Sequence, residues 1–132
     1  MEYISENHSK HLLMCHLIFV CKYRKNLLLK VGDDIKSEIE SIAHHYGWEI
    51  IEHEIDQNHI HILIRYSPKW SVLEIVRLLK QLTTYRIWHK HNKYLSQHFW
   101  EEQTFWSDGY FSCSVGNVSK EVILKYIKTQ GH

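Results

Sequence analysis

A run of strand-forming residues with a period of two, Asn58-His-Ile-His-Ile-Leu-Ile-Arg65, restricts the fold of this chain more than any other stretch. Side chains alternate between the two faces of a strand. Ile60, Ile62 and Ile64 therefore share one side, and His59 and His61 share the other, roughly 7 Å apart along the strand. The isoleucine side demands a core, whereas the histidine side need not be buried. Trp48-Glu-Ile-Ile-Glu-His-Glu-Ile55 reads as a second strand, and the turn-forming Asp56-Gln-Asn58 joins the two, which predicts a hairpin.

The remaining elements fall around that hairpin. His11-Leu-Leu-Met-Cys-His-Leu-Ile-Phe-Val20 is rich in strand formers and leaves through the basic Lys22-Tyr-Arg-Lys25. Ile35, Ile39, Ile42 and Tyr46 stand at helical spacing, predicting a helix over 34–46 with Gly47 as its stop. Pro68 lies in a loop, and Ser71-Val-Leu-Glu74 is a capping box that opens a long helix. The stripe of that helix is Val72, Ile75, Leu78, Leu79 and Leu82, continuing to Tyr85 and Trp88, before a polar, aromatic stretch over 89–108. Tyr110 to Val115 reads as a further strand, Gly116-Asn117 as a turn, and Ser119 as the cap of a last helix.

The order βαββαβ plus a terminal helix predicts an α+β, ferredoxin-like fold. Its sheet is antiparallel and four-stranded, with the histidine strand central, helices on one face, and Tyr126 on the C-terminal helix. The length fits one domain over 1–132. Such a fold hosts unrelated activities, so function must come from the site.

Composition removes several classes. With 44% hydrophobic and 13% aromatic residues the chain is a globule, not a disordered tail. It has no apolar run of about eighteen residues, so no membrane span is expected. Met1-Glu-Tyr-Ile-Ser-Glu lacks the pattern of a secretion signal, which leaves a cytoplasmic protein as the expectation. Cys15, Cys21 and Cys113 form no CxxC pair, so a zinc ribbon is unsupported and reduced thiols are expected. Net charge is only +1, but the charges are segregated. Lys10, Lys22, Arg24, Lys25 and Lys30 occur without an acid between Glu6 and Asp33, and Arg77, Lys80, Arg86, Lys90 and Lys93 without one between Glu74 and Glu101. A basic face is one consequence, and ordinary solvated helix faces are the plain alternative.

Two imidazoles on one strand face can grip a divalent metal, although twelve histidines make a chance His-x-His pair easy to meet. Tyr126 and Gln130 are four apart and share a helix face. Val122, Ile123 and Ile127 already supply that helix with an apolar stripe, which frees Tyr126 for another role. The amide oxygen of Gln130 is a hard ligand suited to Mg²⁺ or Mn²⁺. Two imidazoles and an amide hold such a metal weakly, so water and substrate phosphate oxygens would complete its shell. A metal pair on a strand and a tyrosine on a helix suggest a nucleophile that cleaves phosphodiesters.

Taken together, the Lys-Tyr-Arg-Lys exit of the first strand, His59-Ile60-His61, Phe-Trp-Ser-Asp-Gly-Tyr-Phe, Ser-Val-Gly, and Tyr-Ile-Lys-Thr-Gln closely resemble one family. It is the single-tyrosine HUH transposases (TnpA type) of the two-hundred-series bacterial and archaeal insertion sequences, and the resemblance runs from about His11 to Gln130. It implies that His59 and His61 form the HUH motif, that Tyr126 is the nucleophile, and that Gln130 is the third ligand of Mg²⁺ or Mn²⁺. It implies cleavage and rejoining of single-stranded DNA, including hairpin DNA at element ends, through a 5′-phosphotyrosine. It further implies a homodimer in which the tyrosine helix can dock on the neighbouring subunit's histidines, the alternative being Tyr126 beside its own His59 and His61. The basic residues Lys10, Lys22, Arg24, Lys25, Arg77, Lys80 and Arg86 are then expected on phosphates. No GxxxxGK[ST] loop occurs, so no nucleotide cofactor is expected. The chain departs from the family pattern twice. A glycine and two serines usual in the second helix fall where Gln81, Leu82, Thr83 and Thr84 stand, and the usual Val-Gly-Gly is Val115-Gly116-Asn117.

Two other functions are compatible with the order of elements. A non-catalytic RRM-like module would bind single-stranded nucleic acid through sheet aromatics, but its RNP-type run is missing. A hydrolase of small phosphoesters would want two His-x-Thr/Ser repeats, which the chain lacks.

Overall fold

The computed structural model describes residues 4–6, 9–11, 13–115 and 120–130, with side chains over 13–115 and 125–130. The turn at Gly116-Asn117, the Ser119 cap and the side chain of Lys10 lie outside them.

Two short strands, β1 (Ile4–Glu6) and β2 (Ser9–His11), pair as a hairpin that the periodicity did not reveal. The main sheet contains β3 (Leu13–Val20), β4 (Glu49–Ile55), β5 (His59–Tyr66) and β6 (Phe111–Ser114) in the order β4-β5-β3-β6. Every neighbouring pair is antiparallel, as the ferredoxin-like expectation requires, and the histidine strand β5 is internal. Among the described residues three α-helices complete the fold, α1 (Leu28–Tyr46), α2 (Val72–Ser96) and α3 (Lys120–Thr129), with a 3-10 turn at Lys22–Arg24.

One face of the sheet carries the main core. Leu17 and Phe19 of β3 and Ile60, Ile62 and Ile64 of β5 are at most 1% exposed and meet Val31, Ile35, Ile39 and Ile42 of α1 and Ile75, Leu79 and Ile87 of α2. Burying one such side chain contributes about 1.5–3 kcal/mol. α1 starts six residues before the predicted Asp34, because Leu28 and Val31 extend the buried stripe backward. Gly32 lies inside it, where a Cβ would come within 3.2 Å of Ile55 Cδ1, so the helix rests on β4 at a point that favours glycine. Gly47 ends α1 at φ 81°, the left-handed conformation that a glycine C-cap supplies.

In α2 the capping box forms as predicted, with Ser71 Oγ accepting from the Glu74 amide at 3.0 Å and Glu74 Oε1 accepting from the Ser71 amide at 2.9 Å. Its buried side differs from the predicted stripe at the C-terminal half. Tyr85 is 71% exposed, and Thr83 and Ile87 point inward instead. The helix also runs to Ser96 through a non-helical residue, His91, at φ −127° and ψ 38°. Asp34 accepts from His91 there, at 2.5 Å, which ties the distortion to α1.

Residues 97–110 are pinned as a strap over the end of β3. Phe105 O accepts from Lys22 N at 2.8 Å, and Val20 O from Ser107 N at 2.7 Å. Trp106 Nε1 donates to Thr83 Oγ1 at 2.9 Å, while that hydroxyl donates to Leu79 O at 2.6 Å. Trp88 Nε1 donates to Thr104 O at 2.8 Å. Cys15, Cys21 and Cys113 are free thiols.

Candidate active site

The second face of the sheet carries the histidines. Ile60, Ile62 and Ile64 are fully buried on the core side, and His59 and His61 are half-buried on the other. Val20 stands opposite His59, and Ile18 stands opposite both His61 and Phe111. Residues in register share a face, so His61, Ile18 and Phe111 form a row across three strands. With strands about 4.8 Å apart, His61 and Phe111 are separated by about 10 Å of backbone.

α3 reaches this face through Tyr126, whose ring centre lies 5.6 Å from that of Phe111. Gln130 N donates to Tyr126 O at 3.0 Å, which places the amide one turn below the phenol on the same helix side. Both meet the backbone at Gly109. A Cβ built there would be 2.6 Å from Gln130 Oε1 and 3.5 Å from the Tyr126 hydroxyl. Arg24 Nη1 donates to Lys128 O at 2.8 Å, occupying a C-terminal carbonyl that has no partner within the helix. The Arg24 backbone and that of Tyr23 are both at positive φ, 51° and 58°, a strained region for residues with side chains.

The Tyr126 hydroxyl is buried and has no hydrogen-bond partner among the described residues. Burial, and then the nearby Tyr110 phenol, push its pKa from 10 up to about 12. His59 Nδ1 lies 3.0 Å from Asn58 Oδ1. An amide oxygen only accepts, so Nδ1 carries the proton and the Nε2 lone pair is free. Burial also lowers the His59 pKa, which favours the neutral, ligating form.

His61 has a partner that sequence reasoning missed. His16 Nδ1 of β3 lies 2.6 Å from His61 Nε2. The ring planes differ by 20° and the centres are 4.8 Å apart. A nitrogen contact of 2.6 Å is too short for stacked faces, so the rings meet edge to edge through an N–H···N hydrogen bond. Burial, followed by the neighbouring His61, depresses the His16 pKa. A signal was present: His16 is a polar residue inside an apolar strand, two positions before Ile18 on the histidine face. Glu54 of β4 also stands opposite His61 in register.

Among the described residues no group of three or more His, Cys, Asp or Glu side chains converges on a metal site. The imidazoles of His59 and His61 and the amide oxygen of Gln130 are donors of the kind that a divalent ion takes. Asn58 presets His59 for that role, and the contact with His16 leaves Nδ1 as the uncommitted nitrogen of His61.

The predicted basic residues separate into two groups. Lys80, half-buried, donates to the carbonyls of Ser107, Asp108 and Gly109 at 2.6, 3.1 and 3.0 Å, and Arg86 bonds Glu38 of α1 at 3.0 Å. With Arg24, these cations position protein elements. Arg77 and Lys25 are at or near the surface, Lys25 lying 5.9 Å over the Phe99 ring, and Lys22 stands 3.5 Å from Asp108.

A ferredoxin-like sheet with a His-x-His pair on an internal strand, and a helix bringing a half-buried tyrosine and a glutamine to the same face, defines a tyrosine-carrying HUH-type domain. The chain belongs to the family described as IS200-like transposases, whose model matches residues 9–130. It is 29% identical over 116 residues to the ISDra2 transposase TnpA of Deinococcus radiodurans, covering 87% of this chain and 81% of that protein. It is 27% identical over 117 residues to the transposase for insertion sequence element IS200 of Salmonella typhimurium, covering 87% and 74% of the two chains. Among solved structures, a protein from Deinococcus radiodurans R1 described as a transposase superposes with a TM-score of 0.87 at 25% identity, covering 98% of both chains. A REP-associated tyrosine transposase bound to a REP hairpin shares the fold, with a TM-score of 0.59 at 12% identity over 96% of this chain and 66% of that one. Among the described residues, no helix is long and apolar enough to cross a membrane.

Proposed function

We propose that this transposase cleaves and rejoins single-stranded DNA at insertion-sequence ends, with Tyr126 as the nucleophile. The observation that carries the reading is the buried, partnerless Tyr126 hydroxyl beside Gln130, on the sheet face that holds His59 and His61. An unsatisfied buried hydroxyl costs about 1–3 kcal/mol, which is tolerable where a substrate oxygen supplies the partner. The phenol oxygen forms a bond to phosphorus, the bond to the 3′-oxygen breaks, and a 5′-phosphotyrosine remains. The phenol gives up its proton and the leaving oxygen takes one. Because the covalent link retains the phosphoryl bond, the reverse attack by a 3′-hydroxyl rejoins DNA without a nucleotide cofactor.

His59, His61 and Gln130 would hold Mg²⁺ or Mn²⁺. Bound there, the ion would polarise phosphate oxygens and offset transition-state charge. Gly109 and Phe111 fix where the phenol sits, and Asn58 and His16 orient the two imidazoles. Lys10, Lys22, Lys25 and Arg77 contact phosphates of single-stranded or hairpin DNA, and Arg24, Lys80 and Arg86 shape the surface on which it lies. The working unit is a homodimer whose sites can be shared, each tyrosine helix exchanging its seat beside Phe111 and Gly109 of its own chain for the partner's histidines.

The test is incubation of the protein with labelled single-stranded element ends and Mn²⁺, followed by denaturing electrophoresis. Wild type should give an SDS-stable adduct, and Tyr126→Phe should give none while keeping its melting temperature and DNA affinity. An adduct formed by the phenylalanine variant would remove Tyr126 from the nucleophile's role.

A further inference from the structure

The sequence places Lys80 among the basic residues expected on phosphates, but its ammonium is committed to the protein. An ammonium has three N–H donors. The carbonyls of Ser107, Asp108 and Gly109 accept at 2.6, 3.1 and 3.0 Å, one for each donor. No donor is left for a phosphate oxygen. Burial lowers the Lys80 pKa, and the nearby Asp108 carboxylate works in the opposite direction.

The three acceptors belong to successive residues. Their dipoles present like partial charge to one point, which is unfavourable unless a cation stands there. The ammonium therefore sets the course of the strap through 107–109. Earlier parts of the strap have other fastenings: Trp88 bonds Thr104, Trp106 bonds Thr83, and Ser107 N bonds Val20 O. At Asp108 and Gly109 the backbone hydrogen bonds among the described residues are those to Lys80.

Gly109 is where this course matters for chemistry. Its backbone abuts both polar groups of α3, since a Cβ there would be 2.6 Å from Gln130 Oε1 and 3.5 Å from the Tyr126 hydroxyl. A chain released from Lys80 would take that seat with it. Lys80 also lines a cleft of about 550 Å³ between α2 and residues 103–110. Through this opening a small ion can reach the three carbonyls once the lysine side chain is shortened.

We propose that Lys80 is a positioning residue for the reaction of Tyr126: its ammonium gathers the carbonyls of 107–109, fixes the seat of the phenol and the Gln130 amide, and touches no DNA. The proposal rests on Tyr126 as the nucleophile, and the experiment separates their failures. Full-length Lys80→Ala is assayed for adduct rate at saturating single-stranded DNA with Mn²⁺, and for DNA affinity by fluorescence anisotropy. Hydrogen exchange over 107–111 is followed without DNA or metal. The rate should fall roughly ten- to a hundredfold, as for a displaced supporting group, and exchange should accelerate. DNA affinity should stay within about twofold, with an unchanged salt slope. Ethylammonium, which returns three N–H donors, should restore both rate and protection. Tetramethylammonium, with the same charge and no donor, should restore neither. Lys80→Arg keeps the charge and a long stem, but a planar fork cannot aim three donors from one point, so it should also be slow. A rate within twofold of wild type in Lys80→Arg overturns the role even where the alanine variant fails to fold. So does a loss in folded Lys80→Ala that ethylammonium leaves unrepaired. A salt slope reduced by about one would make Lys80 a phosphate contact and overturn it too. If exchange is unchanged while the adduct still forms, the positioning role falls and the transposase chemistry stands. If wild type forms no adduct, the nucleophile reading falls, and exchange with its ethylammonium response decides whether Lys80 pins the strap.

Discussion

Replacing Gly109 by alanine should separate activity from stability, and the distances say by how much. The new Cβ would stand 2.6 Å from Gln130 Oε1, whereas ordinary contact begins at 3.4 Å, so the amide must withdraw by about 0.8 Å (3.4 − 2.6). The Tyr126 hydroxyl, at 3.5 Å, need not move. Catalytic groups tolerate roughly 0.5 Å of misplacement, and displacing a metal ligand or its support costs roughly ten- to a hundredfold in affinity or rate. The fold should not suffer. Gly109 is not among the glycines at positive φ, and the group that yields is the tip of a flexible side chain on the last turn. Where the backbone is compatible, glycine to alanine stabilises by about 0.4–1 kcal/mol through the unfolded chain. The variant should therefore melt at or slightly above the wild-type temperature while Mn²⁺ affinity in the presence of DNA and the rate of adduct formation fall. Calorimetric titration and a timed adduct assay measure the two losses. In a Gln130→Ala background, Gly109→Ala should cost little more, because the displaced group is already gone. An adduct rate and Mn²⁺ affinity within twofold of wild type, or fully additive losses in the double variant, would refute the argument.

Thr83→Val keeps the shape but removes the acceptor of the Trp106 indole, leaving a buried N–H unsatisfied; a loss of about 1–3 kcal/mol is expected in denaturant melts. Burial raises the Tyr126 phenol to about 12, so the folded state favours the protonated ring. That contribution is fully present below pH 10 and is lost as pH rises through 12, so wild type should lose stability relative to Tyr126→Phe only across that alkaline window; a constant difference from pH 9 to 12 would contradict it. Mixing Tyr126→Phe subunits with His59→Ala, His61→Ala subunits should restore adduct formation if sites are shared, and a dead mixture of verified heterodimers would show that they are not.

The central strand β5 was legible because it obeys period two, whereas β3, buried on both faces over residues 17–20, was read from its strand-forming composition. Ile60, Ile62 and Ile64 face the core and His59 and His61 do not. The first turns of α1 were not legible, since Gly32 and Asp33 interrupt a stripe that only the packing of Leu28 and Val31 makes continuous. Tyr85 shows the limit of helical spacing. An aromatic at the right position is exposed, because Thr83 on the adjacent row is the residue that the Trp106 indole requires. At the site, the types and spacing of His59, His61, Tyr126 and Gln130 could be read directly. Gly109 and Asn58 could not, because each acts through a neighbour brought close by the strap or by the chain, and His16 left only the signal of a polar residue inside an apolar strand.

The parts of the site converge on the end of one strand. Val20, the last residue of β3, stands opposite His59 and accepts from Ser107 of the strap. Cys21 follows, donating to Asn58 O and bridging to Trp106. Three residues later Arg24 holds the C-terminal end of the tyrosine helix. Asn58 sets His59, Ser107 leads to Gly109, and Gly109 abuts Gln130, so five residues of β3 and its exit support both imidazole and nucleophile sides. This accounts for the strained Tyr23 and Arg24 backbone. The chain must leave the buried end of β3 and at once aim a guanidinium at the helix, and two left-handed residues accomplish that turn where no glycine is present. It also explains why the strap is fastened so heavily through Thr83, Trp88 and Lys80. A strap that moved would shift the cleft wall and Gly109 together, and with them the phenol and its companion amide. Residues 104–110 thus connect the helix-packed face to the opposite face, where Gly109 meets Tyr126 and Gln130.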